Sequence, residues 1–297
     1  MDVESEVRQL QCMEILGGNR AVRQAVRSPG LDAWVECRPH RADAGGDIHY
    51  FSMCGSGRVT RLAIADVMGH GQDASELAVW LRGLMRKHIN LLDQRRFARQ
   101  INQELASRED SSGLSRFATV ALMTYFSPTD HLIICNAGHP PPLWYSQRTA
   151  RWGWLKPESP DLGPSLRQET ARYLGKPVAN LPLGVLEGTH YVQFAVKLSH
   201  GDIVFVYTDG LVEARNPSGV MLGQQGLLRL AQAGGIEGSP QALAQGLLDA
   251  VDAHRGALNH EDDLTLVALR HTAEEAPPLS LGRLVRVLPR MLGLARV

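Results

Sequence analysis

The stretch Arg61–Gly71 reads Arg-Leu-Ala-Ile-Ala-Asp-Val-Met-Gly-His-Gly, and the other informative parts of the chain share its design. Its first residues alternate as in a β-strand, which places Asp66 on the same face as Leu62 and Ile64. A carboxylate on an apolar face is costly unless a partner compensates its charge. The glycines of Gly69–Gly71 permit a tight turn, after which the pattern predicts a helix. We therefore expect Asp66 to bind a divalent cation, since such ions prefer oxygen ligands.

Further aspartates stand at the ends of apolar segments that have the length of strands. They are Asp47 before residues 48–53, Asp209 after residues 203–208, and the pair Asp262-Asp263 before residues 264–269. Taken singly, each would more often be a turn residue, because Asp and Gly dominate turns for local reasons. The sequence contains no Cys and His cluster at zinc spacing. Four separate strand-end positions therefore predict a cation site built from oxygen ligands.

Six short motifs follow one another along the chain. They are Gly45-Gly46-Asp47, Ala65–Gly71, Asn136–Pro141 (Asn-Ala-Gly-His-Pro-Pro), Leu181–Gly184 (Leu-Pro-Leu-Gly), Tyr207–Gly210 (Tyr-Thr-Asp-Gly) and Asp262–Leu266 (Asp-Asp-Leu-Thr-Leu). In this order they resemble the SpoIIE/RsbU-type serine/threonine phosphatases, the bacterial branch of the metal-dependent (PPM, type 2C) protein phosphatases. The resemblance runs from about Leu31 to Arg270. It implies an α+β fold, a four-layer α-β-β-α sandwich of two antiparallel sheets flanked by helices. The succession of strands and helix pairs fits the same architecture.

The resemblance also implies a site for two metal ions, Mn²⁺ or Mg²⁺. The implied ligands are the carboxylates of Asp47, Asp66, Asp209 and Asp262 and the main-chain oxygen of Val67. Asp66 matches the bridging aspartate of the family. Asp47 would hold the second ion, whereas Asp209 and Asp262 would hold the first.

Two assignments depend on details of the motifs. Asp262 is preferred to Asp263 because it takes the place of the aspartate in the family's Asp-x-x-Thr ending, which leaves Asp263 to form hydrogen bonds nearby. His70 is a candidate proton donor to the leaving serine oxygen, although its offset from the bridging aspartate differs from that in the eukaryotic enzymes. No arginine before Gly45 matches the phosphate-binding arginine of those enzymes, so phosphate binding would rest on the metals.

The activity implied by the resemblance is hydrolysis of phosphoserine or phosphothreonine on a regulatory protein by a metal-activated water. The implied substrate is a phosphorylated anti-sigma-factor antagonist, a STAS-domain protein of a partner-switching pathway. Two alternatives stay open: a non-catalytic binding module of the same fold, and another two-metal phosphoester hydrolase such as a phosphodiesterase. The sequence contains neither a Cys-x5-Arg loop nor a GxxxxGK[ST] loop, so it does not support covalent-cysteine or nucleotide-binding mechanisms.

Composition narrows the class of protein. The 297 residues include 31 basic and 31 acidic side chains, so the basic excess typical of nucleic-acid binding is absent from the sequence. The four cysteines form no CxxC motif and predict reduced thiols. The sequence has no secretory leader and no apolar run near the roughly 20 residues that cross a bilayer. We expect a cytoplasmic protein without a transmembrane segment.

The pattern divides the chain into three parts. These are a helical lead-in over residues 1–30, a phosphatase domain over 31–270, and a linker with a basic amphipathic tail over 271–297. Residues 1–30 are too short for the sensor domain that often precedes such phosphatases, so input would come from a separate protein or from oligomerisation. Residues 146–180 are predicted to be a variable, flap-like insertion near the substrate, in which Trp152 and Trp154 either dock a partner or form a small core. The tail from residue 281 separates leucines from arginines, which suits peripheral contact with an anionic membrane, a partner protein or its own domain.

A helix is predicted over residues 72–92. Its apolar stripe consists of Leu77, Trp80, Leu81, Leu84, His88 and Leu91. Packing against the core is the stronger interpretation of this stripe. The resemblance additionally implies a role in dimerisation and switching, hence a regulatory partner or a homodimer through this helix.

Overall fold

The computed structural model describes residues 7–12, 14–40, 43–54, 57–69, 71–88, 91, 93–108, 116–157 and 180–272. In these ranges the strands are β1 (Arg8–Gln9), β2 (Ile15–Arg20), β3 (Val22–Ser28), β4 (Leu31–Arg38), β5 (Ala44–Cys54), β6 (Val59–Val67), β7 (Ala118–Phe126), β8 (His131–Ala137), β9 (Leu143–Ser146), β10 (Arg151–Trp154), β11 (Gln193–Lys197), β12 (Ile203–Tyr207) and β13 (Leu264–His271). The helices are α1 (Gln72–Lys87), α2 (Gln94–Ala106), α3 (Asp209–Val212), α4 (Gly223–Ala233) and α5 (Pro240–Arg255).

The strands form two sheets that pack face to face. One has the order β1-β3-β4-β13-β12-β9-β10 and the other the order β11-β8-β7-β6-β5-β2. Neighbouring strands are antiparallel except for β1 and β3, which are parallel. One apolar core lies between the sheets, a second under α1 and α2, and a third under α3, α4 and α5. The predicted α-β-β-α sandwich is therefore confirmed.

The alternation predicted for β6 is present in the structure. Leu62 and Ile64 lie in the core between the sheets, whereas Ala63 and Ala65 face the core under α1 and α2. Asp66 consequently leaves β6 on the face that looks into the gap between the two sheets.

The prediction of a helical lead-in over residues 1–30 is wrong for its described residues, which form β1, β2 and β3 instead of helices. Strand β2 pairs with β5, and β3 pairs with β4. At Gly17, where φ is +142°, an added Cβ would clash with the main-chain oxygen of His49. Gly17 therefore allows close strand pairing.

Helix α1 confirms that the apolar stripe packs on the core. Its buried residues are Ala74, Leu77, Ala78, Leu81, Leu84 and Met85. Just beyond its end, His88 Nε2 lies 2.6 Å from Glu104 Oε1 of α2, so this histidine joins the two helices. None of these contacts bears on dimerisation, which stays a prediction.

The start of the predicted insertion forms a hairpin of β9 and β10. Trp152 stacks on Phe205, with 5.2 Å between ring centroids and 12° between planes. Trp154 packs at the edge of the same core. Both tryptophans therefore contribute to a core, which is the second of the two roles considered for them above. Residues 158–179 of the insertion and the tail from residue 273 lie outside the described residues. In the part of the chain that the structure describes, no helix is both long and apolar enough to span a bilayer.

Candidate metal centre

The four predicted carboxylate ligands gather at one end of the gap between the sheets. Asp47 and Asp66 occupy neighbouring strands, because Ile48 of β5 pairs with Ala65 of β6. On the other sheet, Asp209 begins α3 directly after β12, and Asp262 lies just before β13, the strand that pairs with β12. The sandwich thus brings together side chains that are up to 215 positions apart in the sequence (262 − 47).

Thr208 links the two sheets at this point. Its hydroxyl Oγ1 donates to Asp47 Oδ2 at 2.7 Å and accepts from the main-chain N–H of Thr265 at 2.9 Å. Asp47 is 1% exposed, so this hydroxyl is a built-in partner for a carboxylate that water barely reaches. Thr208 belongs to the Tyr207–Gly210 motif, yet its role could not be seen from the sequence because Asp47 lies on the other sheet.

Asp263 has a supporting role that matches the expectation for it. Its Oδ1 accepts from the main-chain N–H of His40 at 2.7 Å, and its Oδ2 accepts from that of Gly46 at 2.6 Å. A side chain at Gly45 would clash with this carboxylate. Asp263 therefore fastens the start of β5, the strand that carries Asp47, whereas Asp262 is exposed at the mouth of the gap.

The carboxylates disfavour one another's ionisation in the protein alone. Burial raises the pKa of Asp66 to about 8, and the charges of Asp209, Asp262, Asp263 and Glu213 act in the same direction. Burial and then Asp66 raise the pKa of Asp47 well above its usual value. Burial, followed by Glu213 and Asp262, raises the pKa of Asp209 to about 6. A cation would relieve this repulsion.

The donor set fits hard divalent cations. Besides the carboxylates, the main-chain oxygen of Val67 faces the α-carbon of Gly46, where an added Cβ would lie 3.0 Å from that oxygen. The absence of a side chain at Gly46 thus keeps the carbonyl accessible. Within the described residues, no three His, Cys, Asp or Glu side chains form a ready cluster for one ion. A cation here would therefore also take water molecules and the Val67 carbonyl as ligands, as Mg²⁺ commonly does.

The turn after β6 has the predicted backbone, with φ of +100° at Gly69 and +80° at Gly71. Gly71 is the N-cap of α1, so the helix begins directly after the strand that carries Asp66. His70, the candidate proton donor, lies outside the described residues.

Asn19 is a residue of the site that the sequence analysis missed. In the pairing of β2 with β5, Gly18 lies opposite His49 and Arg20 lies opposite Ala44. Asn19 is therefore the one residue of β2 that faces four residues of β5, 45–48, and β5 bulges there. The side-chain Nδ2 of Asn19 donates to Gly45 O at 2.9 Å and to Ser75 Oγ at 2.9 Å. Asn19 therefore ties the bulged start of β5, before Asp47, to the first turn of α1. No local pattern could have indicated this, because its partners are 26 and 56 residues away.

The Asn136–Pro141 motif forms a rigid turn behind the site. The main-chain N–H of His139 donates to Asn136 Oδ1 at 2.8 Å, and Asn136 Nδ2 donates to His139 O at 2.9 Å. The buried imidazole Nδ1 lies 2.9 Å from Oγ1 of Thr119, which pairs with Asp66 across β6 and β7. His139 thus supports Thr119 on the face of the sheet that also carries Asp66.

Comparisons with known proteins identify the family of this chain and one curated relative. The family model of Stage II sporulation protein E (SpoIIE) matches residues 56–272. Phosphoserine phosphatase RsbU of Bacillus subtilis (strain 168) is 24% identical over 210 residues, covering 70% of this chain and 55% of RsbU. This chain therefore spans about half the length of that curated relative.

Solved structures share the fold. The RsbU and RsbW domains of Rv1364c from Mycobacterium tuberculosis align with a TM-score of 0.63 and 24% identity, over 92% of this chain and 71% of that one. RsbX in complex with magnesium aligns with a TM-score of 0.56 and 15% identity, over 84% of this chain and 100% of that one. At these identities the structural matches establish the architecture alone, a sandwich of two sheets flanked by helices.

Proposed function

Because the chain belongs to the SpoIIE family, we propose that it is a metal-dependent phosphatase acting on phosphoserine or phosphothreonine in a protein. The observation that carries this proposal is the gathering of Asp47, Asp66, Asp209 and Asp262 at one mouth of the sandwich, where burial, followed by the charges of neighbouring acidic side chains, raises the pKa of Asp66 to about 8. A protein without use for a cation would gain stability by replacing them.

Each residue of the site would have a separate role in metal binding. Asp66 would bridge two ions, Asp47 and the Val67 carbonyl would complete one side, and Asp209 and Asp262 the other. Divalent ions bound there would lower the pKa of a water molecule and neutralise the oxygens of the phosphoryl group. Thr208 and Asp263 would hold the ligand-bearing segments in place through the hydrogen bonds described above. His70 keeps the proposed role of proton donor to the leaving serine oxygen.

The proposed substrate is a serine-phosphorylated STAS-domain protein. Support comes from the similarity to RsbU, which is named a phosphoserine phosphatase, and from the match to a protein that carries RsbU and RsbW domains. The chain would then act in a partner-switching pathway, with Mn²⁺ or Mg²⁺ as its two ions. The magnesium complex of RsbX supports the choice of a hard cation.

The test is a phosphatase assay with purified protein. We expect release of phosphate from a serine-phosphorylated STAS-domain protein in Mn²⁺, loss of activity in EDTA, and recovery when Mn²⁺ is restored. Full activity after exhaustive chelation would refute the two-metal site. Mn²⁺ binding without turnover would identify a binding module, and preference for bis-p-nitrophenyl phosphate would identify a diesterase.

A further inference from the structure

A cavity of about 120 Å³ opens directly beside the candidate metal centre. Asp262, a proposed ligand, and Gly210, which follows the ligand Asp209, form the wall that it shares with the site. The rest of its lining includes Glu213, Arg215, Met221 and Leu258. A protein that places a phosphoserine at the carboxylates must therefore cover this cavity with the residues next to that phosphoserine.

One side of the cavity is a well-ordered hairpin, residues 214–222, that directly follows α3. Main-chain hydrogen bonds join Leu222 N to Ala214 O at 2.9 Å and Asn216 N to Val220 O at 3.0 Å. Asn216 Oδ1 accepts from the N–H groups of Ser218 and Val220, at 3.0 and 2.9 Å. Since α3 begins with Asp209, this 214–222 hairpin is held at a fixed position relative to the metal ligands.

The hairpin and the facing loop present apolar side chains to solvent. Val220 is 59% exposed, Met221 42% and Leu258 47%. Met221 and Leu258 line the cavity, and Val220 precedes Met221 in the hairpin. Single exposed apolar residues are common, but apolar residues grouped beside a site are typical of a binding surface. The main chain of the hairpin also contacts the end of α5, since His254 Nε2 lies 3.3 Å from Val220 O. The exposed apolar side chains therefore extend from a backbone that is fixed by hydrogen bonds.

The surroundings carry charges of both signs. Arg215 Nε lies 3.8 Å from Glu261 Oε2, and both side chains are well exposed. An apolar centre with a mixed polar rim is the usual composition of a protein–protein interface. A nucleic acid would instead require an excess of positive charge.

We propose that Val220, Met221 and Leu258, the 220/221/258 surface, dock the phosphoprotein substrate by contacting apolar residues beside its phosphoserine. This inference rests on the proposed function, since it names the recognition surface of the same site. The occupant is the substrate protein, because continuity of the cavity with Asp262 and Gly210 makes it the molecule that must lie there during hydrolysis.

The test compares two substrates in one variant. Val220→Ser/Met221→Ser shortens side chains that are already exposed, so it should fold. We measure kcat/KM for a serine-phosphorylated STAS-domain protein and for p-nitrophenyl phosphate, which is too small to span the surface. The ratio of the two values should fall by about tenfold through a higher KM for the protein, the size expected for an interface anchor.

The matched control is Phe126→Ser, which alters an exposed apolar residue at the far end of the sandwich, where β7 ends opposite Val59. It should leave the ratio unchanged. An unchanged ratio in the double variant, or an equal loss on both substrates, would overturn the docking inference. A change in oligomeric state on size-exclusion chromatography, with an unchanged ratio, would instead assign the surface to a second copy of the chain. A wild-type protein inactive on both substrates would refute the proposed function and this inference with it.

Discussion

At Asp66, burial and the charges of four other acidic side chains act on one carboxylate. Such a group destabilises the folded protein when ionised, unless a cation compensates it. We predict that Asp66→Asn melts no lower than wild type in EDTA, because the change removes part of the repulsion and keeps the shape of the side chain. Addition of Mn²⁺ should raise the melting temperature of the variant much less than that of the wild type. The turnover of the variant should fall at least about a hundredfold. Calorimetry and phosphate release measure both effects. Near-normal turnover would contradict the assignment of the bridging ligand.

The pair Asp262 and Asp263 tests the division between ligand and support. Asp263→Asn leaves only one acceptor oxygen for the N–H groups of His40 and Gly46, so we expect a loss of about 1–3 kcal/mol in the free energy of unfolding. Asp262→Asn should cost little stability, because Asp262 is exposed, yet it should weaken Mn²⁺ binding and turnover more strongly. Urea unfolding and Mn²⁺ titration separate the two. A larger loss of turnover at Asp263 than at Asp262, in folded protein, would reverse the roles.

Asn19 should affect metal binding from a distance. Asn19→Ala removes the link between Gly45 and Ser75, so the bulged start of β5 before Asp47 should loosen and the Mn²⁺ concentration for half-maximal stabilisation should rise. Asn102→Ala is a matched control, since Asn102 is also buried and its Nδ2 donates to two main-chain oxygens, of Leu186 and Glu187. Both variants should lose about 1–3 kcal/mol of stability. If the two respond equally to Mn²⁺, Asn19 is merely structural.

Among the elements, β2 and α1 flank the start of β5, the strand that carries Asp47. Strand β2 is the edge of the six-stranded sheet and pairs with β5, while α1 begins at the glycine turn after Asp66. A displacement of α1 would therefore reach the segment before Asp47, a proposed metal ligand, through Ser75 and Asn19. The regulatory partner or homodimer through this helix stays a prediction that this contact makes physically reasonable.

Deletion of residues 1–21 tests the contribution of β2. Removing it would expose the edge of β5 and abolish the Asn19 contacts, so we predict a lower melting temperature, some aggregation and a smaller stabilisation by Mn²⁺. Deletion of residues 1–6 is the control and should change the Mn²⁺ response little. Thermal scans with and without Mn²⁺ decide the outcome. If the longer deletion binds Mn²⁺ as well as wild type, β2 has no part in the site.

For the molecule as a whole, the site sets a pH dependence that differs with and without metal. In the protein alone, the pKa values of Asp66 and Asp209 rise from 3.8 to about 8 and about 6. At pH values between 3.8 and its raised pKa, each of these carboxyl groups is more protonated in the folded state than in the unfolded state. Its contribution to stability therefore falls as the pH rises. Burial lowers the pKa values of His49 and His139 to about 4 and about 3. Both histidines have a pKa of 6.5 when unfolded, so only above about pH 7.5 are they nearly neutral in both states, where they add little slope.

In EDTA we therefore predict that stability, and with it the melting temperature, falls between about pH 7.5 and about pH 8.5 as Asp66 ionises. The loss of stability is at most about 1.4 kcal/mol per pH unit for each titrating carboxylate. Saturating Mn²⁺, which displaces the protons, should flatten this slope, and Asp66→Asn should reduce it in EDTA. Scans at half-unit steps of pH measure the effect. A melting temperature in EDTA that rises over this range would contradict the burial and crowding of the carboxylates.

The sequence by itself determined the alternation of β6, the glycine turn before α1, the apolar face of that helix and the aspartates at the strand ends, because these follow from periods of a few residues. From them, and from the order of the motifs, the sandwich and the gathering of its strand-end aspartates could be predicted. Only the tertiary structure decided that residues 15–28 are strands, since β2 is defined by pairing with β5 and not by a helical or strand period of its own. It alone decided the links Thr208–Asp47 and Asp263–Gly46, whose partners are 161 and 217 residues apart. Contacts across such separations leave no periodicity in the chain, because they form only where two sheets pack together.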